Sequence, residues 1–162
     1  MLNIKIFCVG RIKDENLSSL IVEYKKRISK YSKIDIIEVE DEKFPNNLSN
    51  SDIEVIKQKE CDRIIDKLQK INKVYIIALD LSGVPLSSIA FSKTIEKIST
   101  NGFSNIAFLI GGSLGISEKL LNMCNEKFCF SNLTFPHQLI RLFLCEQIFR
   151  SFKILNNETY HH

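Results

Sequence analysis

Five short apolar runs, separated by stretches whose apolar residues return every three or four positions, constrain this chain more than any other feature. The runs cover residues 4–9, 34–39, 74–79, 106–110 and, most briefly, 128–130; the middle ones are apolar throughout, as strands covered on both faces must be. Strands alternating with helices from end to end predict an α/β fold, a mostly parallel sheet flanked by helices. Between the first two runs Leu17, Leu20, Ile21, Tyr24, Ile28 and Tyr31 recur at helical spacing, and between the next two Ile53, Ile56, Ile64, Ile65, Leu68 and Ile71 do the same. Ser51 or Asp52 is the expected cap of that second helix, and the polar stretch over 41–50 before it reads as a mobile loop. A third helix is expected over 87–99, closed by Gly102. At 162 residues, 1–162 fits one domain.

The last helix, expected over 136–155, differs from the others. Its apolar residues, from Leu139 and Ile140 through Phe143, Ile148 and Phe152 to Leu155, cover nearly the whole circumference. Such a helix is buried on all sides, and one small sheet does not readily cover it at the end of a chain, so a partner subunit is expected and the chain is predicted to be a homodimer.

Composition excludes other classes. With 44% hydrophobic and 25% charged residues the chain is neither disordered nor fibrous, and no apolar run reaches the length needed to span a bilayer. The first residues carry charge inside their apolar run, so they read as a strand rather than a signal peptide, which places the protein in the cytoplasm with no membrane partner. Five cysteines without a CxxC pair and only three histidines argue for reduced core thiols and against a metal site. Lys and Arg outnumber Asp and Glu by 8 to 3 over residues 1–33, and the reverse holds, 4 to 10, over 34–66. The basic first segment permits RNA contact and is equally a solvated helix face.

Three segments have the character of ligand-binding strand ends. The fourth run enters the glycine-rich turn Gly111-Gly112-Ser113-Leu114-Gly115, where backbone N–H groups can approach a ligand without Cβ interference; a tight strand-to-helix turn explains it as well. Leu79-Asp80-Leu81-Ser82-Gly83 and the stretch from Phe130 to His137 are the other two, and in a parallel sheet such ends share one edge. His137 follows a proline at a helix start and is either a proton handler or a first-turn residue facing solvent. The tail Tyr160-His161-His162 either reaches a cleft or frays.

Val9-Gly10, Glu23-Tyr24 with Lys26-Arg27, Leu79-Asp80 with Gly83, Leu109-Ile110-Gly111-Gly112, Leu133-Thr134-Phe135-Pro136-His137-Gln138, Arg141, Glu146-Gln147-Ile148, Arg150 and terminal Tyr160-His161 run in order along the chain. This series resembles the pseudouridine N3-methyltransferases of large-subunit ribosomal RNA, a family of the SPOUT (α/β-knot) superfamily, over the whole length. The C-terminal third is its specific part. The resemblance implies a homodimer with a C-terminal trefoil knot, an exception to the unknotted rule. It also implies S-adenosylmethionine as cofactor, held by Leu79, Gly111, Phe130, Ser131, Asn132, Leu133, Thr134 and Phe135. The substrate it implies is a pseudouridine in the intersubunit-bridge stem-loop of 23S rRNA, methylated on the assembled 70S ribosome.

On that basis His137 is expected to assist deprotonation of the imide N3 or to orient the base. Tyr160 and His161 are expected to complete the RNA-side pocket, and Arg141, one turn beyond His137, to contact the RNA. A knotted tRNA methyltransferase and a non-enzymatic ribosome-binding module with the same fold remain the alternatives; a flavodoxin-like metabolite binder gives no reason for the terminal helix or the tail.

Overall fold

In a computed structural model, which describes residues 1–160, the strands β1 (Asn3–Val9), β2 (Lys33–Val39), β3 (Val74–Pro85), β4 (Asn105–Ile110) and β5 (Glu126–Cys129) form one parallel sheet in the order β2-β1-β4-β3-β5. The two-residue period of a strand divides its side chains between two helical layers. Ile4, Ile6, Cys8, Ile106, Phe108 and Ile110 pack with α1 (Glu15–Ile28), α3 (Ser88–Thr100) and α5 (His137–Leu155). Phe7, Val9, Ala107 and Leu109 pack with α2 (Asn50–Leu68) and α4 (Glu118–Asn122). Because β1 and β4 are covered on both sides, their fully buried residues include consecutive ones, which is why residues 6–9 and 106–110 show no polar alternation.

Local chemistry starts the helices where side chains can satisfy orphan N–H groups. Asp14 accepts from the Leu17 N–H at 3.0 Å, Ser87 from Ala90 at 3.1 Å and Ser117 from Leu120 at 3.2 Å. The cap of α2 is Ser49 rather than Ser51 or Asp52; Asp52 is the third residue of a capping box and reaches back to the Ser49 N–H at 3.2 Å. The stretch before it is tied down at its start: Arg63 donates to the Glu40 carbonyl at 2.7 Å and pairs with the Glu42 carboxylate, and the Glu42 N–H donates to Glu60 Oε2 at 3.0 Å. Two elements escaped the periodicity. α4 has five residues, too few to show a period, and β3 runs on to Pro85 through a register shift against β5 between Leu79 and Val84.

The terminal helix finds more cover within one chain than its composition suggests. α5 lies against α1, α3 and the sheet, burying Leu144, Cys145, Ile148, Phe149 and Phe152, and leaves Leu139 36% and Phe143 37% exposed. It ends in a Schellman closure at Asn157 (φ +54°): the Glu158 N–H donates to the Lys153 carbonyl at 2.9 Å and the Asn157 N–H to the Ile154 carbonyl at 3.1 Å. Among the described residues no helix is long and apolar enough to cross a membrane.

Candidate functional site

Where the pairing of β3 with β4 ends, at Leu79 and Ile110, the three segments singled out above meet around a cavity of about 710 Å³. One wall is Leu79, Asp80 and Leu81 from β3; the floor is Ile110 and the turn 111–116; the other wall is Cys129, Phe130, Ser131 and the stretch 133–137, with Ile140 behind it. Of the residues expected to hold a cofactor, Leu79, Gly111, Phe130, Ser131, Leu133, Thr134 and Phe135 line this cavity; Asn132 does not. Cys129 and Ile140 also line it and belonged to none of the three segments; their signal was adjacency along the same bend or helix rather than residue type.

Backbone packing shapes the floor. A Cβ at Gly111 would lie 2.6 Å from the Gly115 carbonyl carbon, so the two arms of the turn close at a distance that only glycine permits. The Gly115 N–H donates to the Gly112 carbonyl at 3.0 Å, pinning the turn. In the wall, the Leu133 N–H donates to Ser131 Oγ at 3.0 Å and the Cys129 thiol to the Ser131 carbonyl at 2.9 Å, which fold 129–133 into a tight bend. Phe135 is fixed edge-on to Phe143 of α5, ring centroids 5.5 Å apart. The result is a largely apolar slot with backbone polar groups at its floor.

His137 is the first residue of α5 and lines the slot, half-buried. Burial holds its imidazole below the ordinary value of 6.5, the Arg141 charge acts in the same direction, and Asp41 opposes both. The ring is therefore neutral at pH 7 and able to accept a proton.

Arg141 does not do what its spacing suggested. It follows His137 by one turn, but its side chain points inward and is 1% exposed. Nη2 donates to the Val9 and Gly10 carbonyls at 3.0 and 2.8 Å, and Nη1 pairs with Glu38 at 2.9 Å. The expectation of an RNA contact from Arg141 is thus corrected: the guanidinium is spent on fastening α5 to the end of β1, where two strand-end carbonyls need a donor.

Tyr160 lies elsewhere. Its hydroxyl donates to Glu146 Oε1 at 3.2 Å, its ring meets Phe149 edge-on at 5.0 Å, and the Arg150 guanidinium stands 4.8 Å from its centroid. Burial, with help from Tyr24 and Glu146, pushes its hydroxyl up to about 12, so it is a hydrogen-bonding group and not a base. Glu146 stands nine residues along α5 from His137, roughly 13 Å at the helical rise. One chain therefore does not bring Tyr160 and His137 together, and His161 lies outside the described residues.

Comparison with known proteins bears on this geometry. A family model described as predicted SPOUT methyltransferase matches residues 2–161. Proteins named Ribosomal RNA large subunit methyltransferase H from Clostridium kluyveri and Bacillus pumilus are 48% and 46% identical over 160 residues, covering 99% of this chain and of each relative. Among solved structures, the tRNA (m1G37) methyltransferase of Aquifex aeolicus aligns with a TM-score of 0.52 at 13% identity, over 91% of this chain and 69% of that one. A probable methylase family protein of Haemophilus influenzae aligns with a TM-score of 0.50 at 11% identity, over 96% and 67%. At these identities the structural likeness speaks to the fold alone.

Proposed function

The chain belongs to the SPOUT methyltransferase family, and from that premise we propose that it methylates N3 of a pseudouridine in the intersubunit-bridge stem-loop of 23S rRNA, on assembled 70S ribosomes in the cytoplasm, as a homodimer. One observation carries the reading: the glycine turn, residues 79–81 of β3 and the 130–137 segment converge on a single slot with a neutral histidine at its rim.

The slot suits S-adenosylmethionine. Its volume of about 710 Å³ lies within the range of small-molecule sites, Leu79, Phe130 and Leu133 offer apolar surface to a purine, and the Gly111 cradle exposes backbone in place of side chains. When bound, this cofactor supplies an electrophilic methyl group. Everything else falls to the chain. Leu79, Gly111, Phe130, Ser131 and the stretch 133–135 hold and orient the donor, and the apolar walls exclude water from it. His137, neutral at working pH, takes the N3 proton on its free ring nitrogen, which turns a weak imide nucleophile into a strong one.

Tyr160 and His161 then complete the RNA-side half of the site from the partner subunit, a reading supported by Tyr160 lying along the far part of its own α5. The exposed Leu139 and Phe143 support a twofold contact along α5. A trefoil knot is part of this reading; α5 follows β5, at one sheet edge, yet packs with α1 and α3, which supports a threaded return. A formal net charge of only +3 supports recognition of a folded ribosomal surface over attraction to free RNA.

The test is transfer of labelled methyl from S-adenosylmethionine to 70S ribosomes lacking the modification, beside isolated subunits and tRNA, with nuclease mapping. Label on a large-subunit pseudouridine in 70S particles alone is the expected result. Label on tRNA, or cofactor binding without transfer to any RNA, overturns the substrate assignment.

A further inference from the structure

The mechanism above leaves unused a carboxyl group that is buried directly behind the slot. Glu60 of α2 is 3% exposed, and its two oxygens have different surroundings. Oε2 accepts the Glu42 N–H at 3.0 Å. Oε1 is fully buried with no hydrogen-bond partner, and it faces the glycine turn: a Cβ on Gly112 would come within 3.2 Å of it. A buried unpaired oxygen on a carboxyl group is costly, and it persists only where surrounding structure holds it there.

The rest of this stretch of α2 has the same two-sided arrangement. Toward the turn, the next residue, Cys61, accepts the Ser117 N–H at 3.2 Å, and Asp62 pairs with Lys119. Toward the other side, Arg63 holds the Glu40 carbonyl and the Glu42 carboxylate. The segment so held includes Asp41, whose charge acts on His137 and whose carboxyl carbon lies 3.6 Å from where a Cβ on Gly10 would stand. One helical turn thus leans on the floor of the slot and grips the backbone on either side of Asp41, which lies against Gly10, the residue to which Arg141 fastens α5.

We propose that Glu60 is a positioning residue that couples the two halves of the site: its carboxyl transmits the position of the glycine turn, set by the methyl donor, to the 41–42 backbone, which lies against Gly10 where Arg141 fastens the helix that begins with His137. This inference rests on the slot being the methyl-donor site. Coupling of this kind needs a contiguous, packed connection with two discrete arrangements, and a side chain abutting Gly112 while accepting from Glu42 is the shortest one available. Burial raises the Glu60 carboxyl pKa, the Glu42 N–H and Arg63 lower it, and the Asp41 and Glu42 carboxylates raise it. A neutral or a charged carboxyl serves alike, because acceptance from Glu42 needs only one oxygen lone pair.

The experiment pairs calorimetric binding of S-adenosylmethionine with amide hydrogen exchange at Glu42, in the full chain and in Glu60→Gln and Glu60→Ala. In the unmodified protein the donor is expected to slow Glu42 exchange by about fivefold or more. Glu60→Gln, whose amide oxygen still accepts from Glu42, keeps that response and binds the donor within about threefold of the parent; Glu60→Ala binds it about tenfold more weakly and loses the response at saturation. Unaltered Glu42 exchange in parent protein that binds the donor overturns the coupling, and this measurement stands even if Glu60→Ala does not fold. Parental affinity and response in Glu60→Ala overturn it as well. Parent protein that binds no S-adenosylmethionine overturns instead the reading of the slot, and the coupling with it.

Discussion

Arg141 donates from Nη2 to the Gly10 carbonyl at 2.8 Å, so the helix that begins with His137 is fastened, one turn on, to the end of β1. The guanidinium also holds the Val9 carbonyl and Glu38. Removing it strands two strand-end carbonyls, whereas Glu38, 40% exposed, can return to water. Arg141→Ala is therefore expected to lower unfolding free energy by about 3 kcal/mol, and Glu38→Gln by about 1 kcal/mol or less. Urea denaturation of the two variants measures this. An unshifted midpoint for Arg141→Ala would show that the fastening contributes nothing.

Gly111→Ala places a methyl 2.6 Å from the Gly115 carbonyl carbon, a contact with backbone that no side-chain rotation relieves. The turn must open, and the floor of the slot moves with it. The expected outcome is a loss of S-adenosylmethionine affinity of at least about 100-fold with the sheet intact, read by calorimetry beside far-UV circular dichroism. Binding at parental strength would mean that the donor does not rest on this turn.

Much of this architecture was legible in the sequence because burial on both faces leaves a clear mark. The runs at 6–9 and 106–110 are apolar without alternation, and they became the doubly covered parts of β1 and β4. The strand ends that meet at the slot were legible for the same reason: parallel strands put their carboxyl ends on one edge. Arg141 was misread because helical spacing fixes which face a side chain leaves from, not whether a longer side chain finds partners inside. Its partners are mainly backbone carbonyls, which carry no residue type to read. Glu60 was missed for a related reason. An acidic residue in a polar helix segment looks solvated until the chain folds the 40–49 stretch and the glycine turn over it.

His137 sets the expected pH dependence. Burial holds its folded pKa below 6.5, so near that value the folded chain binds fewer protons than the unfolded one. Its neutral form is present, and its stability contribution complete, above pH 6.5; both decline as pH falls through the lowered folded value. Single-turnover methylation should therefore be flat from neutral pH upward and fall only on the acid side. Replacing His137 with Ala should remove that acid limb and slow the reaction by about 10²- to 10⁴-fold while donor affinity stays unchanged. A loss below tenfold would end the proton-handling role.

The separation of Tyr160 from His137 along α5 gives the sharpest test of a shared site. Deleting 159–162 should leave donor binding intact and abolish methylation, and His137→Ala, which also keeps donor binding, should leave too little methylation to register beside the parent. If each site takes its histidine from one subunit and its tail from the other, a mixed dimer of the two inactive variants holds one complete site and one doubly damaged one. Random pairing makes half of the dimers mixed, so mixing equal amounts after dissociation and reassociation should restore about a quarter of parental activity. If histidine and tail served the same subunit, every site would lack one or the other, and mixing would restore nothing. The Tyr160 hydroxyl on Glu146, far from its own slot, favours the first outcome.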